Sequence, residues 1–170
     1  MKTYNASDLF DLKVNGNFPL NCEFVPKNNL PLSVFKGPGI YYLDYKESLV
    51  YIGSFFGSKS NNNVLTQRWN KELATISMRG KHVTFNEKAI KALTACSSLV
   101  INNPKPKGDY LTSKLRIEFA CKNWNEFKSE SFLKDFNFYW FPYENINKTK
   151  KELNQLTNQL RNFYKPICNG

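Results

Sequence analysis

The stretch Gly39-Ile-Tyr-Tyr-Leu-Asp-Tyr-Lys-Glu-Ser-Leu-Val-Tyr-Ile-Gly53 decides how the rest of the chain is read. GIYYLDY and LVYIGSFF are both rich in β-branched and aromatic residues, and the polar Lys46-Glu-Ser48 between them suits a short turn. The expectation is a tight hairpin with a tyrosine on each strand, Tyr41 and Tyr51. KGPG at 36–39 is a turn leading in, and GSKSNNN at 57–63 a polar loop leading out.

Downstream, VLTQRWNKELATISMRG places Val64, Leu65, Trp69, Leu73 and Ile76 at helical spacing. Gln67, Arg68, Lys71 and Glu72 are read as the polar side, and Gly80 as the stop. Further helices are expected at NEKAIKALTAC (86–96), with Asn86 as N-cap, and at YLTSKLRIEFACKNW (110–124). SSLVINN (97–103) is a candidate short strand, and FNFYWFPYEN (136–145) carries the strongest late strand signal. A last helix runs through TKKELNQLTNQLRNFYKP, with Thr149 as N-cap, Glu152 at the capping-box position and Pro166 ending it. Upstream, residues 1–35 read as an arm with a short helix near SDLFDL and irregular structure around two prolines.

At 170 residues and 41% hydrophobic content, the chain suits one globular domain over 1–170. No change of composition marks a second domain. The formal net charge of +10 favours a polyanionic partner, and its spread along the chain argues for a basic face on a folded domain. Cys22, Cys96, Cys121 and Cys168 form no CxxC pair, and with one histidine a zinc cluster is not expected. MKTYNASDLFDLK lacks the apolar segment of a signal peptide, and no apolar run is long enough for a bilayer. The expectation is a cytoplasmic protein with reduced thiols and no membrane partner.

A GIY on one strand, a YIG on the next and an arginine on the following helix together resemble the GIY-YIG nucleases. The resemblance covers residues 36–82 and, less fully, 136–170, where the Pro166 to Asn169 ending looks like the family's own. It implies an α/β (α+β) fold built on a small three-stranded, mainly antiparallel sheet flanked by helices, here with a helical insertion at 86–135. It also implies a metal-dependent endonuclease that uses Mg2+ (or Mn2+) to hydrolyse double-stranded DNA. The absence of a recognisable added DNA-binding domain suits a type II restriction enzyme, and a palindromic target would call for a homodimer.

The roles implied for the site follow the motif. Tyr41 lies beside the attacking water, Tyr51 supports it and Arg68 binds phosphate. The chemistry is consistent, since a phenol of ordinary pKa about 10 acts as a base near neutrality only if positive charge lowers that value, and Arg68 is the natural source. Gly39 and Gly53 let backbones pass closely or leave room for substrate, and Asn169 supports the site.

Two departures stand out. Glu72 occupies the position, one turn past the arginine, where some members carry histidine or tyrosine; His82 could serve instead through a loop. Thr157 occupies the position of the metal-binding glutamate, and a neutral hydroxyl is a poor ligand for a hard divalent cation. Glu118 and Glu152 are the carboxylates left to bind metal, although Glu152 points about 140° away from Thr157 on an ideal helix and fits a cap better. Lys71, Lys81, Lys105, Lys107 and Arg116 are candidate DNA contacts, or else a solvated basic face. The alternative reading is a catalytically inactive GIY-YIG-like DNA-binding protein. A third, an RNA-binding module using Tyr139, Trp140 and Tyr143, conflicts with the alternation expected of a core strand.

Overall fold

Tyr45 and Ser48 close the central hairpin, with Lys46 and Glu47 both at positive φ, 48° and 65°, as a two-residue turn between right-twisted strands demands. The computed structural model describes residues 1–14, 22–57, 62–79, 110–127, 129–143 and 149–169. In chain order these give β1 (Lys2–Asn5), α1 (Ala6–Leu9), β2 (Phe10–Val14), β3 (Cys22–Pro26), a 3-10 turn (Leu32–Phe35), β4 (Gly39–Tyr45) and β5 (Ser48–Phe55). A π-turn (Leu65–Trp69) then runs into α2 (Asn70–Ile76). After it come α3 (Tyr110–Lys122), α4 (Trp124–Phe127), a 3-10 segment (Glu130–Asp135), β6 (Phe136–Pro142) and α5 (Lys150–Tyr164).

The fold is mixed α+β, but among the described residues the sheet has four strands in the order β1-β6-β4-β5, all antiparallel, where three were expected. The additional strand comes from the supposed irregular arm. Lys2–Asn5 pairs with Trp140 to Asn137, which leaves β4 and β6 as inner strands. The helix expected near SDLFDL is a single turn, Ala6–Leu9, and Phe10 already begins β2, which pairs with β3 as a separate ribbon. The helix of residues 86–96 and the strand of 97–103 lie outside the described residues.

Each face of the sheet takes its own cover. Tyr41, Leu43, Phe138 and Trp140 face the main core, where Trp69 stacks on Phe138 at 4.3 Å between ring centroids. Ile40 and Ile52 face Leu153 of α5. Leu43 opposes Tyr51 while Asp44 opposes Leu49, so Val50 is the extra residue of a β-bulge. The bulge lets Val50 and Tyr51 both join the main core while Leu49 and Ile52 go to the α5 side. Phe136, Phe138 and Trp140 are buried, while Tyr139 and Tyr143 are half-buried, so the strand alternates between core and surface.

Helix α2 stops on Met78, at φ 56°, with the Arg79 N–H returning to the Ala74 carbonyl at 3.0 Å. The Met78 side chain is buried. Gly80, the expected stop, lies outside the described residues. The Arg79 side chain is fully buried and donates to the carbonyls of Phe127 and Ser129, tying the inserted helices to the core.

At its C-terminus α5 ends on Lys165, at φ 48°. The tail then runs along the open edge of β5, with Ile167 and Cys168 donating to the Leu49 and Val50 carbonyls. The Asn169 side chain accepts from the Ile52 N–H at 2.6 Å. An edge strand left with unpaired N–H groups is a site of unwanted pairing, and this tail covers it.

Candidate functional site around Tyr41, Tyr51 and Glu72

Tyr41 and Tyr51 come together as expected, with ring centroids 6.2 Å apart on one face of the hairpin. Gly53 makes this possible. A Cβ there would lie 2.3 Å from both Cζ and Oη of Tyr41, so the phenol rests on the bare glycine. Gly39 plays the same part under Trp140, whose ring would sit 2.3 Å from an added Cβ. Both glycines serve close approach, and the side chains they admit belong to the protein itself.

The Tyr41 hydroxyl donates to Glu72 Oε1 at 3.0 Å. Glu72 Oε2 is paired with Arg116 Nη2 at 3.0 Å, and Arg116 Nη1 donates to Thr75 Oγ1 at 2.5 Å. Glu72 is 7% exposed, which corrects its assignment to the polar side of the helix. Leu65, Trp69, Glu72 and Ile76 recur at three- and four-residue steps, so Glu72 lies on the apolar stripe itself. That spacing was the available signal, and it was missed because a carboxylate is expected outside.

Arg116 is corrected too. Its guanidinium is taken by Glu72 and Thr75 and lies over the Tyr51 ring at 4.9 Å, so it is a site residue and not a free phosphate contact. Arg161 of α5, unforeseen, flanks the same ring at 5.5 Å; it donates to Tyr51 Oη at 3.4 Å and to the Ile52 carbonyl at 2.8 Å. The charged groups acting on Tyr51 are therefore one carboxylate, Glu72, and three guanidiniums, those of Arg116, Arg161 and Arg68.

The electrostatics of Tyr41 run opposite to the expectation of a phenol made acidic by Arg68. Burial pushes its pKa well above the ordinary value, the Glu72 charge, the Tyr51 phenol and the hydrogen bond to Glu72 add to the rise, and Arg68 opposes it only weakly. Tyr51 is also raised, first by burial and then by Glu72, against the three arginines. With 1% of its surface exposed, Tyr41 is held as a neutral hydrogen-bond donor.

Arg68 is exposed and lines a cleft of about 180 Å3 with Ser54, Phe55, Asn62, Lys150 and Asn154. This cleft opens at the end of β5, between the π-turn covering one face and α5 covering the other. Phe55 follows Gly53 by two residues, so it shares the face over which the Tyr41 hydroxyl sits. Lys71 is exposed on the same helical segment as Arg68. His82, Lys81, Lys105 and Lys107 lie outside the described residues.

The two candidate metal ligands are not brought to this cleft. Glu118 follows Arg116 by two residues on α3, and residues two apart on a helix do not share a face. It lines a different cleft, of about 370 Å3, with Tyr45, Lys46 and Lys122. Glu152 closes the capping box, accepting from the Thr149 N–H at 2.7 Å. Thr157 is buried and donates to the Leu153 carbonyl at 2.7 Å. The side-chain oxygens around Arg68, from Ser54, Asn62 and Asn154, are neutral. Among the described residues no group of three His, Cys, Asp or Glu is placed to hold a metal ion. This donor set does not fit a hard divalent cation, which favours carboxylate oxygen.

Comparison with protein-family models, with curated proteins and with solved structures gave no match to this chain. No helix among the described residues is long and apolar enough to cross a membrane.

Proposed function

We propose that the chain is an endonuclease of the GIY-YIG type that hydrolyses phosphodiester bonds of double-stranded DNA, acting in the manner of a restriction enzyme. The observation that carries this reading is the pair Tyr41 and Tyr51 on adjacent strands, beside a helical segment that presents Arg68 at an open cleft. Three guanidiniums and one carboxylate act on Tyr51; Arg116 and Arg161 are engaged by Glu72, Thr75 and the Ile52 carbonyl, which leaves Arg68 as the cation facing the cleft. Arg68, exposed and with the planar fork that fits phosphate, binds the anion, and Tyr41 lies beside the attacking water. The Mg2+ (or Mn2+) that the resemblance calls for finds no carboxylate set among the described residues. Cutting both strands of a palindrome would take two copies of the chain.

The test is cleavage of plasmid and phage DNA with Mg2+, Mn2+ or chelator, comparing wild type with Tyr41→Phe and Arg68→Ala. Discrete fragments that both variants lose, by about 100-fold or more as for a removed proton-transfer group or charge stabiliser, support the reading. The second reading, DNA binding without cleavage, is favoured by one observation: Thr157 turns its hydroxyl into its own helix. Retained DNA binding with no cleavage in any metal would decide for it.

A further inference from the structure

Glu72 is a buried carboxylate that the proposed roles leave unassigned. A buried ion pair is no net stabiliser, because desolvating both charges offsets their attraction. Position 72 lies on an apolar stripe, and a leucine there would fill the core without that cost. Yet one Glu72 oxygen meets the Tyr41 hydroxyl at 3.0 Å and the other meets Arg116 at 3.0 Å, with Thr75 holding the far side of the guanidinium. The carboxylate is thus paired with a cation from the inserted helix and aimed at one phenolic proton. We infer that Glu72, oriented by Arg116, accepts the Tyr41 proton, so that Tyr41 passes a proton on and never stands as a free phenolate.

This rests on the nuclease reading and removes its main difficulty, which is that burial disfavours the phenolate. In the reaction the water oxygen bonds to phosphorus as the bond from phosphorus to the leaving ester oxygen breaks. One water proton goes to Tyr41 Oη while the proton already there goes to Glu72 Oε1. The leaving oxygen takes a proton from solvent, and Glu72 later returns one, so charge and atoms balance. Both Glu72 and Arg116 act through Tyr41 and are positioning residues. The other ionisable groups acting on this cluster are Tyr51 on β5, Arg68 beside α2, Arg161 on α5 and Cys168 in the tail.

The experiment is the pH–rate profile of DNA cleavage for wild type, Glu72→Gln, Glu72→Asp and Arg116→Met, with thermal unfolding of each. Alongside it, the ultraviolet titration of Tyr41 is isolated by subtracting the matching Tyr41→Phe protein. Glu72→Gln keeps an acceptor for the hydroxyl but no base, so cleavage falls by about 100- to 10,000-fold and the acid limb of the profile disappears. Glu72→Asp recovers part of the rate. In Glu72→Gln the Tyr41 phenol ionises at lower pH than in wild type, because a neighbouring negative charge is gone. Arg116→Met, which keeps an apolar stem and so remains informative if Glu72→Gln fails to fold, lowers kcat by about tenfold or more with KM little changed. Wild-type rate and profile in Glu72→Gln, or a wild-type kcat in Arg116→Met, overturns the inference while leaving the nuclease standing. A wild type that cuts no DNA in any condition overturns the nuclease reading and this step with it.

Discussion

Replacing Gly53 by alanine puts a methyl group 2.3 Å from both Cζ and Oη of Tyr41, where ordinary contact begins near 3.4 Å. The ring has nowhere to go. Trp69 stands against it at 6.1 Å and Tyr51 at 6.2 Å between centroids, it is 1% exposed, and its hydroxyl is tied to Glu72. Overpacking of this kind costs about 1–3 kcal/mol. Moving the hydroxyl off the carboxylate forfeits a charge-assisted hydrogen bond, about 1.5–3 kcal/mol more. A total near 4 kcal/mol is a large share of the roughly 5–15 kcal/mol that stabilises a domain.

The assay is urea unfolding of Gly53→Ala in wild-type and Tyr41→Phe backgrounds. The Tyr41→Phe ring has no hydroxyl to displace but keeps Cζ in the way, so in that background the cost falls to the overpacking part. The cycle should give a coupling above about 1 kcal/mol, as expected of residues in direct contact. Equal costs in both backgrounds, or a cost below about 1 kcal/mol for Gly53→Ala alone, would refute the account of why glycine stands there.

Gly39→Ala should destabilise by about 3 kcal/mol, at the top of the overpacking range, since its Cβ would meet the Phe141 carbonyl at 2.7 Å as well as Trp140, and β6 is an inner strand. Glu152→Ala should cost about 1 kcal/mol in thermal or urea unfolding through loss of the capping box, with the metal response of cleavage unchanged. Asn169→Ala strips the Ile52 N–H of its acceptor and should cost about 1–3 kcal/mol, with faster exchange at that amide. Burial pushes the Cys168 thiol up to about 12, helped by Glu72 against Arg116. A thiol raised this way favours the protonated folded state. Its contribution is therefore complete below the unfolded value, near 9, and is lost as pH rises towards 12. Alkylation of Cys168 at about pH 8, below even the ordinary thiol value, should be far slower than in denaturant, which mass spectrometry checks.

The elements legible in the sequence are those whose signal is local. The hairpin at 39–55 announces itself by composition and by a polar turn. Thr149 and Glu152 mark the start of α5 by a motif that closes within one turn. The run from Tyr110 makes a helix as its residues suggest. What could not be read was set by partners far away in the chain. Lys2–Asn5 is only four residues long, and nothing in it says strand until β6 lies alongside. The bulge at Val50 depends on how two strands meet, and it is the bulge that lets Tyr51 share a core with Val50.

The same division holds for the site. Sequence by itself determined that Tyr41 and Tyr51 would meet on one face of a hairpin, because two strands joined by a tight turn leave few arrangements. Only the tertiary structure decided that Glu72 lies inward, that Arg116 and Arg161 close over Tyr51, and that Glu118 and Glu152 are spent elsewhere. A buried charge is tolerated only where a partner meets it, and the partners of Glu72 stand 31 and 44 residues away. Local pattern cannot report a neighbour that folding alone supplies.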